Sequence, residues 1–283
     1  MRVLLVPDIT NESALRGTGE IAAWCGANGI EPALVAADAE ACGLEGFGIA
    51  SRDIGEPVLV VALGGDGTIL KAVHLVGDVA VPILGVKFGR LGFLSGATPE
   101  RMREAILSTL AGDVLIERRT TLKAEVIMDG RNAGTYRALN EVVVSRGTSR
   151  RVIAFDIHVG GHEVARLSGD GVIVATATGS TAYALSAGGP VVAPGFGGMV
   201  IVPVAAHTLR SRALVTEAAE TVEIVLSDPQ RSDACITVDG APMPCRRAVE
   251  RLVVSRAEHD VLLAKLDGRD FYETVAEEFF GGR

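Results

Sequence analysis

Two uninterrupted apolar runs, Val3–Val6 and Val58–Leu63, leave no polar face to turn toward water. A strand of that kind has to be covered on both sides, which is the condition of a parallel sheet with helices over its faces. The intervening segments agree. Glu20 to Asn28 reads as a helix with Gly29 as its stop, Thr68 to Val76 as a second helix, and Val81 to Val86 as a strand. Thr98 as N-cap and Pro99 at the first helical position predict a helix through about Leu110. Residues 1–115 are therefore expected to form an α/β domain around a Rossmann-like parallel sheet.

After Gly112 the period changes from helical to alternating. Thr121 to Met128 reads as a strand, Asp129-Gly130 as a turn, and Asn140 to Ser145 as a second, β-branched strand. Between residues 152 and 167, Ile153, Phe155, Ile157 and Val159 alternate with Ala154, Asp156 and His158, and Gly160-Gly161 supplies a two-residue hairpin turn. Further strands are expected at Gly171–Ala175, Met199–Pro203, Thr221–Leu226, Cys235–Val238 and Arg251–Ser255. Residues 116–265 thus read as an antiparallel, all-β domain. The last stretch, Arg269 to Phe280, is helix-like, and its Phe271, Phe279 and Phe280 call for a surface to dock on.

Charge narrows the partners. The 27 Lys and Arg against 35 Asp and Glu give −8, so no general basic surface exists to neutralise a nucleic-acid backbone. One Trp, three Tyr and eight Phe also leave few platforms on which bases could stack. Nucleic acid is not expected as a partner. The uncharged stretch from Gly171 to Leu209 is broken too often by Gly, Pro, Ser and Thr for a lipid-facing helix, so no membrane is expected. Cys25, Cys42, Cys235 and Cys245 lack metal-ligand spacing and read as reduced thiols. Met1 to Pro7 is too short for a signal peptide, and a cytoplasmic location is expected.

Leu63-Gly64-Gly65-Asp66-Gly67-Thr68 follows a buried strand and opens a helix, the place where open α/β sheets hold ligands. Glycines there permit positive φ and remove side chains that would keep a phosphate from backbone N–H groups, while Thr68 can cap the helix. Asp66 is the odd member. A carboxylate repels phosphates unless it orients a hydroxyl or meets a metal ion, and a nucleophile-positioning role in phosphoryl transfer answers that objection.

A second constellation comprises Gly169-Asp170-Gly171, Thr176-Ala-Thr-Gly-Ser-Thr-Ala-Tyr183 and Ser186-Ala-Gly-Gly-Pro190. Its hydroxyls sit beside glycines in an uncharged stretch, and a polar ligand would satisfy them. Asn140-Glu141, at a strand start, pairs an amide with a carboxylate able to read a base edge and ribose hydroxyls.

Gly64-Gly65-Asp66-Gly67-Thr68, Gly85-Val-Lys-Phe-Gly-Arg-Leu-Gly-Phe-Leu94, Asn140-Glu141 and the run from Gly169 to Tyr183 resemble, in this order, the motifs of the NAD kinases. The first motif is shared with diacylglycerol and sphingosine kinases; the Thr-Gly-Ser-Thr-Ala-Tyr run is more specific. The resemblance implies an α/β amino-terminal domain and a β-sandwich carboxyl-terminal domain, with residues 266–283 returning to the first, in a homodimer or homotetramer. It implies phosphorylation of NAD at the adenosine-ribose 2′-hydroxyl by ATP with Mg²⁺; polyphosphate as donor stays open. Asp66 would be the base, with Gly67 against the same nucleotide. Asn140 and Glu141 would hold adenosine, Asp170 would hydrogen-bond the dinucleotide, and Thr181, Ala182, Tyr183 and Ser186 would line its site, with Arg151 as a further contact. Gly64, Gly65, Thr68 and Lys71 would face the ATP phosphates. No metal ligand is assigned.

Three residues depart from the family pattern: Lys87, where Asn or another polar residue is frequent, Ala177 in place of Pro, and Ala241 in place of Gln. A lipid kinase and an NAD- or NADP-binding sensor without turnover are the alternatives. Gly17-Thr-Gly19-Glu-Ile-Ala22 matches a relaxed dinucleotide pattern, yet about ten residues separate it from the preceding strand, so the tight turn is missing. His158 and His162 flank a hairpin turn and are not expected to bind metal, and no P-loop or nucleophile-elbow motif occurs.

Overall fold

The computed structural model describes residues 1–283 except 90–91, 149–150, 245–246, 267–269 and 282–283. It divides into two compact units, one formed by residues 1–118 with 261–283 and the other by residues 119–260. In the first unit the chain runs β1 (Arg2–Pro7), α1 (Glu12–Ala27), β2 (Glu31–Val35), α2 (Ala36–Cys42), β3 (Gly48–Ile49), β4 (Leu59–Leu63), α3 (Asp66–Val76), β5 (Pro82–Val86), α4 (Met102–Ala111) and β6 (Leu115–Arg119). The second unit holds β7 (Leu122–Met128), β8 (Arg131–Ala138), β9 (Glu141–Ser145), β10 (Ile153–Val159), β11 (His162–Gly169), β12 (Gly171–Ala175), α5 (Tyr183–Ser186), β13 (Val200–Val204), β14 (Leu214–Val215), β15 (Val222–Leu226), β16 (Cys235–Val238), β17 (Ala241–Pro242) and β18 (Arg251–Arg256). The chain then re-enters the first unit as β19 (Val261–Lys265) and α6 (Phe271–Phe279).

Among the described residues, the first unit's sheet has the order β3-β2-β1-β4-β5-β19-β6. β1 pairs in parallel with β2 and β4, and β5 with β4 and β19. Val3 to Val6 and Leu59 to Leu63 are fully buried, as their unbroken apolar character demands. Val261 to Lys265, which the sequence reading leaves with the β-rich segment, belongs to this sheet. Its Leu263 and Ala264 are fully buried, whereas β6 on the sheet's margin is mostly exposed.

Helix α1 begins at Glu12, eight residues before the expected start. Asn11 caps it, accepting from the N–H groups of Ser13 (2.9 Å) and Ala14 (3.2 Å). Gly17 and Gly19 weaken the helical signal, but a side chain at Gly17 would press against the Phe88 ring, at 2.6 Å. That glycine serves packing inside a helix, so the relaxed dinucleotide pattern carries no cofactor loop. Thr98 precedes a turn of 3₁₀-helix, Pro99–Arg101, without a side-chain cap bond, and α4 ends at Gly112 in the left-handed conformation (φ +81°). Helix α6 carries a capping box between Asp270 and Glu273 and packs on the same unit through Phe93, whose ring lies 5.7 Å from that of Phe271 and 6.0 Å from that of Phe279.

The second unit is a sandwich of two antiparallel sheets, ordered β11-β10-β15-β18-β7-β8 and β14-β13-β12-β9-β16-β17 among the described residues. Residues alternating along the strands of both sheets, Phe155, Val126 and Leu252 from one and Val144, Val174 and Ile201 from the other, share one core. Each fully buried Leu, Val or Phe there contributes about 1.5–3 kcal/mol. β12 is buried on both faces, because Ile173 and Ala175 on its other side pack with Ala184 of α5. Gly160 and Gly161 (φ +57° and +81°) form the expected turn between β10 and β11. No helix among the described residues is long and apolar enough to cross a membrane. Cys25, Cys42 and Cys235 are free thiols; Cys245 lies outside the described residues.

Candidate active site

The Gly64–Thr68 loop leaves the carboxyl end of β4 tied to its neighbour, with the Gly64 N–H donating to Val86 O at 2.9 Å. A side chain at Gly64 would collide with Thr68 Oγ1 and come within 2.7 Å of Asp8 Cβ, which explains the glycine by space. The cap of α3 is Gly65, at φ −88°, not Thr68. Thr68 lies within the first turn, buried, its N–H donating to Gly65 O at 3.0 Å. Positive φ occurs at Gly64 (+159°) but not at Gly65 or Gly67. A Cβ at each would meet nothing within 4 Å, so the room above them stays open to an approaching ligand. Gly65, Gly67, Thr68 and Lys71 line a cavity of about 310 Å³ with Pro7, Asp8 and Ile9. Lys71 does not offer a bare charge to it. Its ammonium donates to both oxygens of the buried Asp38, at 2.6 and 2.8 Å.

Asp66 is the first residue of α3, and its Oδ1 is buried without a hydrogen-bond partner. Buried polar atoms are nearly always partnered, so an orphaned carboxylate oxygen at the carboxyl edge of a parallel sheet marks a place for a ligand. The opposite wall is the Gly92 backbone. A Cβ built on Gly92 would lie 2.7 Å from Lys87 Nζ and 3.0 Å from each oxygen of Asp66. Only glycine lets the carboxylate and the ammonium pack this close to the backbone there. The segment carrying it is held by Lys265, whose ammonium donates to Ser95 O at 2.7 Å and to Phe93 O at 3.2 Å.

In the second unit, Asn140 and Glu141 stand where β9 begins. The Asp239 carboxylate accepts the N–H groups of Leu139 (2.8 Å), Asn140 (2.7 Å) and Glu141 (3.1 Å), and its own N–H returns to Glu141 O at 3.0 Å. The Thr176–Tyr183 run is bolted to the same stretch. Thr176 donates its hydroxyl to Leu139 O at 2.6 Å and its N–H to Asn140 O at 2.9 Å, and Gly179 packs directly on the Asn140 backbone. The hydroxyls of this run are thus spent largely on protein. Ser180 donates to Ala177 O and accepts from the Val192 N–H, Thr181 donates to Thr178 O, and Thr178 accepts from Arg119. The expectation that a polar ligand satisfies them is corrected to this extent: Thr176, Thr178, Ser180 and Thr181 find partners within the protein. What the clasp leaves unpartnered are Asn140 Oδ1 and Glu141 Oε2, both buried. Burial first, then the charge of Asp239, push the Glu141 carboxyl up to about 7, opposed by a hydrogen bond from the Tyr183 backbone.

Asp170 pairs with Arg146 at 2.7 Å, and both line a cavity of about 610 Å³ with Val143, Ser145, Gly147, Thr148, Tyr183 and Val204. Tyr183 is 46% exposed, so it presents its ring to solvent and not to the core. Thr181 and Ala182 are half-buried and Ser186 exposed around the single turn of α5; Arg151 is exposed two residues before β10 and is not among the residues lining that cavity. Arg146 and Asp239 escaped sequence reading. Only the pairing of β9 with β12, Ser145 opposite Gly171, brings Arg146 beside Asp170, and Asp239 reaches Leu139 across about a hundred residues.

A family model described as the ATP-NAD kinase N-terminal domain matches residues 54–114, and one described as the ATP-NAD kinase C-terminal domain matches residues 139–266. The NAD kinase of Natranaerobius thermophilus is 31% identical over 280 residues, covering 99% of this chain and 98% of that protein. That of Gemmatimonas aurantiaca is 40% identical over 224 residues, 79% of this chain and 77% of the relative. Among solved structures, yeast NADH kinase complexed with NADH superposes with a TM-score of 0.86 at 23% identity, covering 99% of this chain and 87% of that one. An NAD kinase from Archaeoglobus fulgidus in complex with ATP gives 0.73 at 25% identity, covering 99% and 98%. With likeness over nearly its whole length, and with the four motifs in place, the chain belongs to the NAD kinase family.

Proposed function

We propose that this protein transfers the γ-phosphoryl group of ATP to the 2′-hydroxyl of the adenosine ribose of NAD, giving NADP and ADP. The observation that carries the reading is the orphaned Asp66 Oδ1, a base with no protein proton to hold, beside glycine backbone that a phosphate can approach. In this reading Asp66 orients the hydroxyl and accepts its proton, while the open backbone at Gly65 and Gly67 takes the donor phosphates, with Thr68 beside it, Lys71 on the wall of the same cavity held by Asp38, and Gly64 fixing the loop to β5. Asn140 and Glu141 supply unpartnered oxygens for the adenosine, Asp170 with Arg146 a paired polar wall, and Tyr183 an exposed ring for the dinucleotide, with Thr181, Ala182, Ser186 and Arg151 around it. Among the described residues no group of three or more His, Cys, Asp or Glu side chains is gathered to hold a metal. Mg²⁺, which the family resemblance implies, would come with the donor phosphates and would offset their charge. The free thiols are in keeping with a cytoplasmic location, and a homodimer or homotetramer is the assembly the family resemblance implies.

The test is NADP formation from NAD, ATP and Mg²⁺ by the purified protein, with polyphosphate as a second donor. Asp66→Asn is expected to bind NAD and to lose about a thousandfold in kcat, within the range for loss of a positioned base. Turnover by that variant near the parent's would remove Asp66 from its role. NAD binding by the unsubstituted protein without product from either donor would replace the kinase with a sensor.

A further inference from the structure

The proposed reaction leaves one electrostatic problem unsolved. A carboxylate base stands where a highly charged phosphoryl group must arrive, and the lysine of the nearby cavity, Lys71, is already engaged by Asp38. Lys87 lies at the right place to meet the charge. It follows β5 directly, and β5 lies beside β4 with Leu63 opposite Val86, so Asp66 and Lys87 project from the carboxyl ends of adjacent parallel strands. Their charged atoms surround one point. The vacant Cβ position of Gly92 is 2.7 Å from Lys87 Nζ and 3.0 Å from both Asp66 oxygens, and Asp66 Oδ1 has no hydrogen-bond partner, Lys87 included. A base and a cation thus converge on the same face of the Gly92 backbone, an approach that a side chain at residue 92 would block.

Resting on the reading of Asp66 as the base, we propose that Lys87 is a second charged catalytic residue, whose ammonium binds the phosphoryl group as it moves onto the hydroxyl held by Asp66. The acceptor hydroxyl gives its proton to the Asp66 carboxylate, its oxygen forms the new bond to the γ-phosphorus, and the bond from that phosphorus to the bridging oxygen breaks, its electron pair leaving with ADP. Lys87 keeps its proton throughout. Its charge offsets the negative charge spread over the moving group's oxygens and makes the carboxylate neighbour tolerable to the donor. Gly92 belongs to the same device, since any side chain there would push the Lys87 ammonium and the Asp66 carboxylate out of place.

Steady-state kinetics and NAD binding of Lys87→Met, Lys87→Arg, Lys87→Ala and Asp66→Asn decide the matter. Lys87→Met is expected to lose about 100-fold in kcat, as for removal of one transition-state donor, with NAD affinity within about threefold of the parent's. Lys87→Arg should recover about tenfold of that loss, and Lys87→Ala should gain turnover in proportion to added ethylammonium, a response that a lysine needed only for folding would not give. A Lys87→Met enzyme within about threefold of the parent's kcat overturns the proposal, as does a folded Lys87→Ala enzyme whose deficit neither ethylammonium nor the arginine variant relieves. The two readings fail separately: an active Asp66→Asn removes the base itself, whereas a silent Asp66→Asn beside an unimpaired Lys87→Met removes Lys87 alone.

Discussion

Glu141 carries its carboxyl inside the protein, next to the carboxylate of Asp239, and both circumstances resist its ionisation. Its proton is held up to about 7, well above the ordinary 4.5 of a glutamate. The folded state therefore binds that proton more tightly than the unfolded chain, so the associated stabilisation is whole below about 4.5 and is lost as pH rises through about 7. Stability should fall across this window by up to roughly 3 kcal/mol on account of Glu141. Glu141→Gln is expected to flatten the decline, measured as urea midpoints at pH 5 and pH 8. Equal pH dependence in the two proteins would place the cost elsewhere. The Asn140-Glu141 pair was legible in the chain as two polar residues opening an apolar strand. Its proton affinity was not, because the second carboxylate arrives from a turn about a hundred residues away.

The start of β9 is held by an unusual amount of hydrogen bonding for one short stretch. Three consecutive N–H groups converge on Asp239, which adopts a left-handed backbone (φ +47°) at the turn between β16 and β17, and the Thr176 hydroxyl fixes the carbonyl of Leu139 from the other side. Asp239→Asn keeps the shape and loses the charge. It is expected to cost about 2 kcal/mol of stability and to raise the KM for NAD about tenfold, with kcat at saturation little changed. An unchanged KM would show that the clamp serves the fold without positioning Asn140 and Glu141. Alternation and turn glycines place the strands closely: β12 runs over the expected Gly171–Ala175, and β7 starts one residue after the expected Thr121. Helix α1 was shortened because two glycines inside it look like a break until Phe88 is seen against one of them.

The first unit is discontinuous in sequence, and its completion depends on residues 261–283. β19 lies between β5 and β6, and Lys265 at its end fastens the segment that brings Gly92 to Asp66. A chain ending at Asp260 removes a buried parallel strand and unseats Phe93 from α6. The first unit is expected to lose its cooperative unfolding transition, while residues 119–260, with a core of their own, survive limited proteolysis as a resistant fragment. Persistence of two transitions in the shortened chain would show that the sheet closes without β19.

What the sequence settled by itself follows from local physical rules. Apolar runs without a polar face required a covered parallel sheet, strict alternation required antiparallel strands, and a glycine-rich loop with one Asp at a strand's end marked a candidate site. Tertiary structure decided which polar atoms are left over. Whether a hydroxyl, an amide or a carboxylate in a motif is available to a ligand depends on what the folded chain already gives it: Thr176 and Ser180 are occupied, Lys71 is held by Asp38, and Asp66 Oδ1, Asn140 Oδ1 and Glu141 Oε2 are not. Hydrogen bonds between residues distant in sequence are set by register and packing, and those are properties of the assembled fold alone.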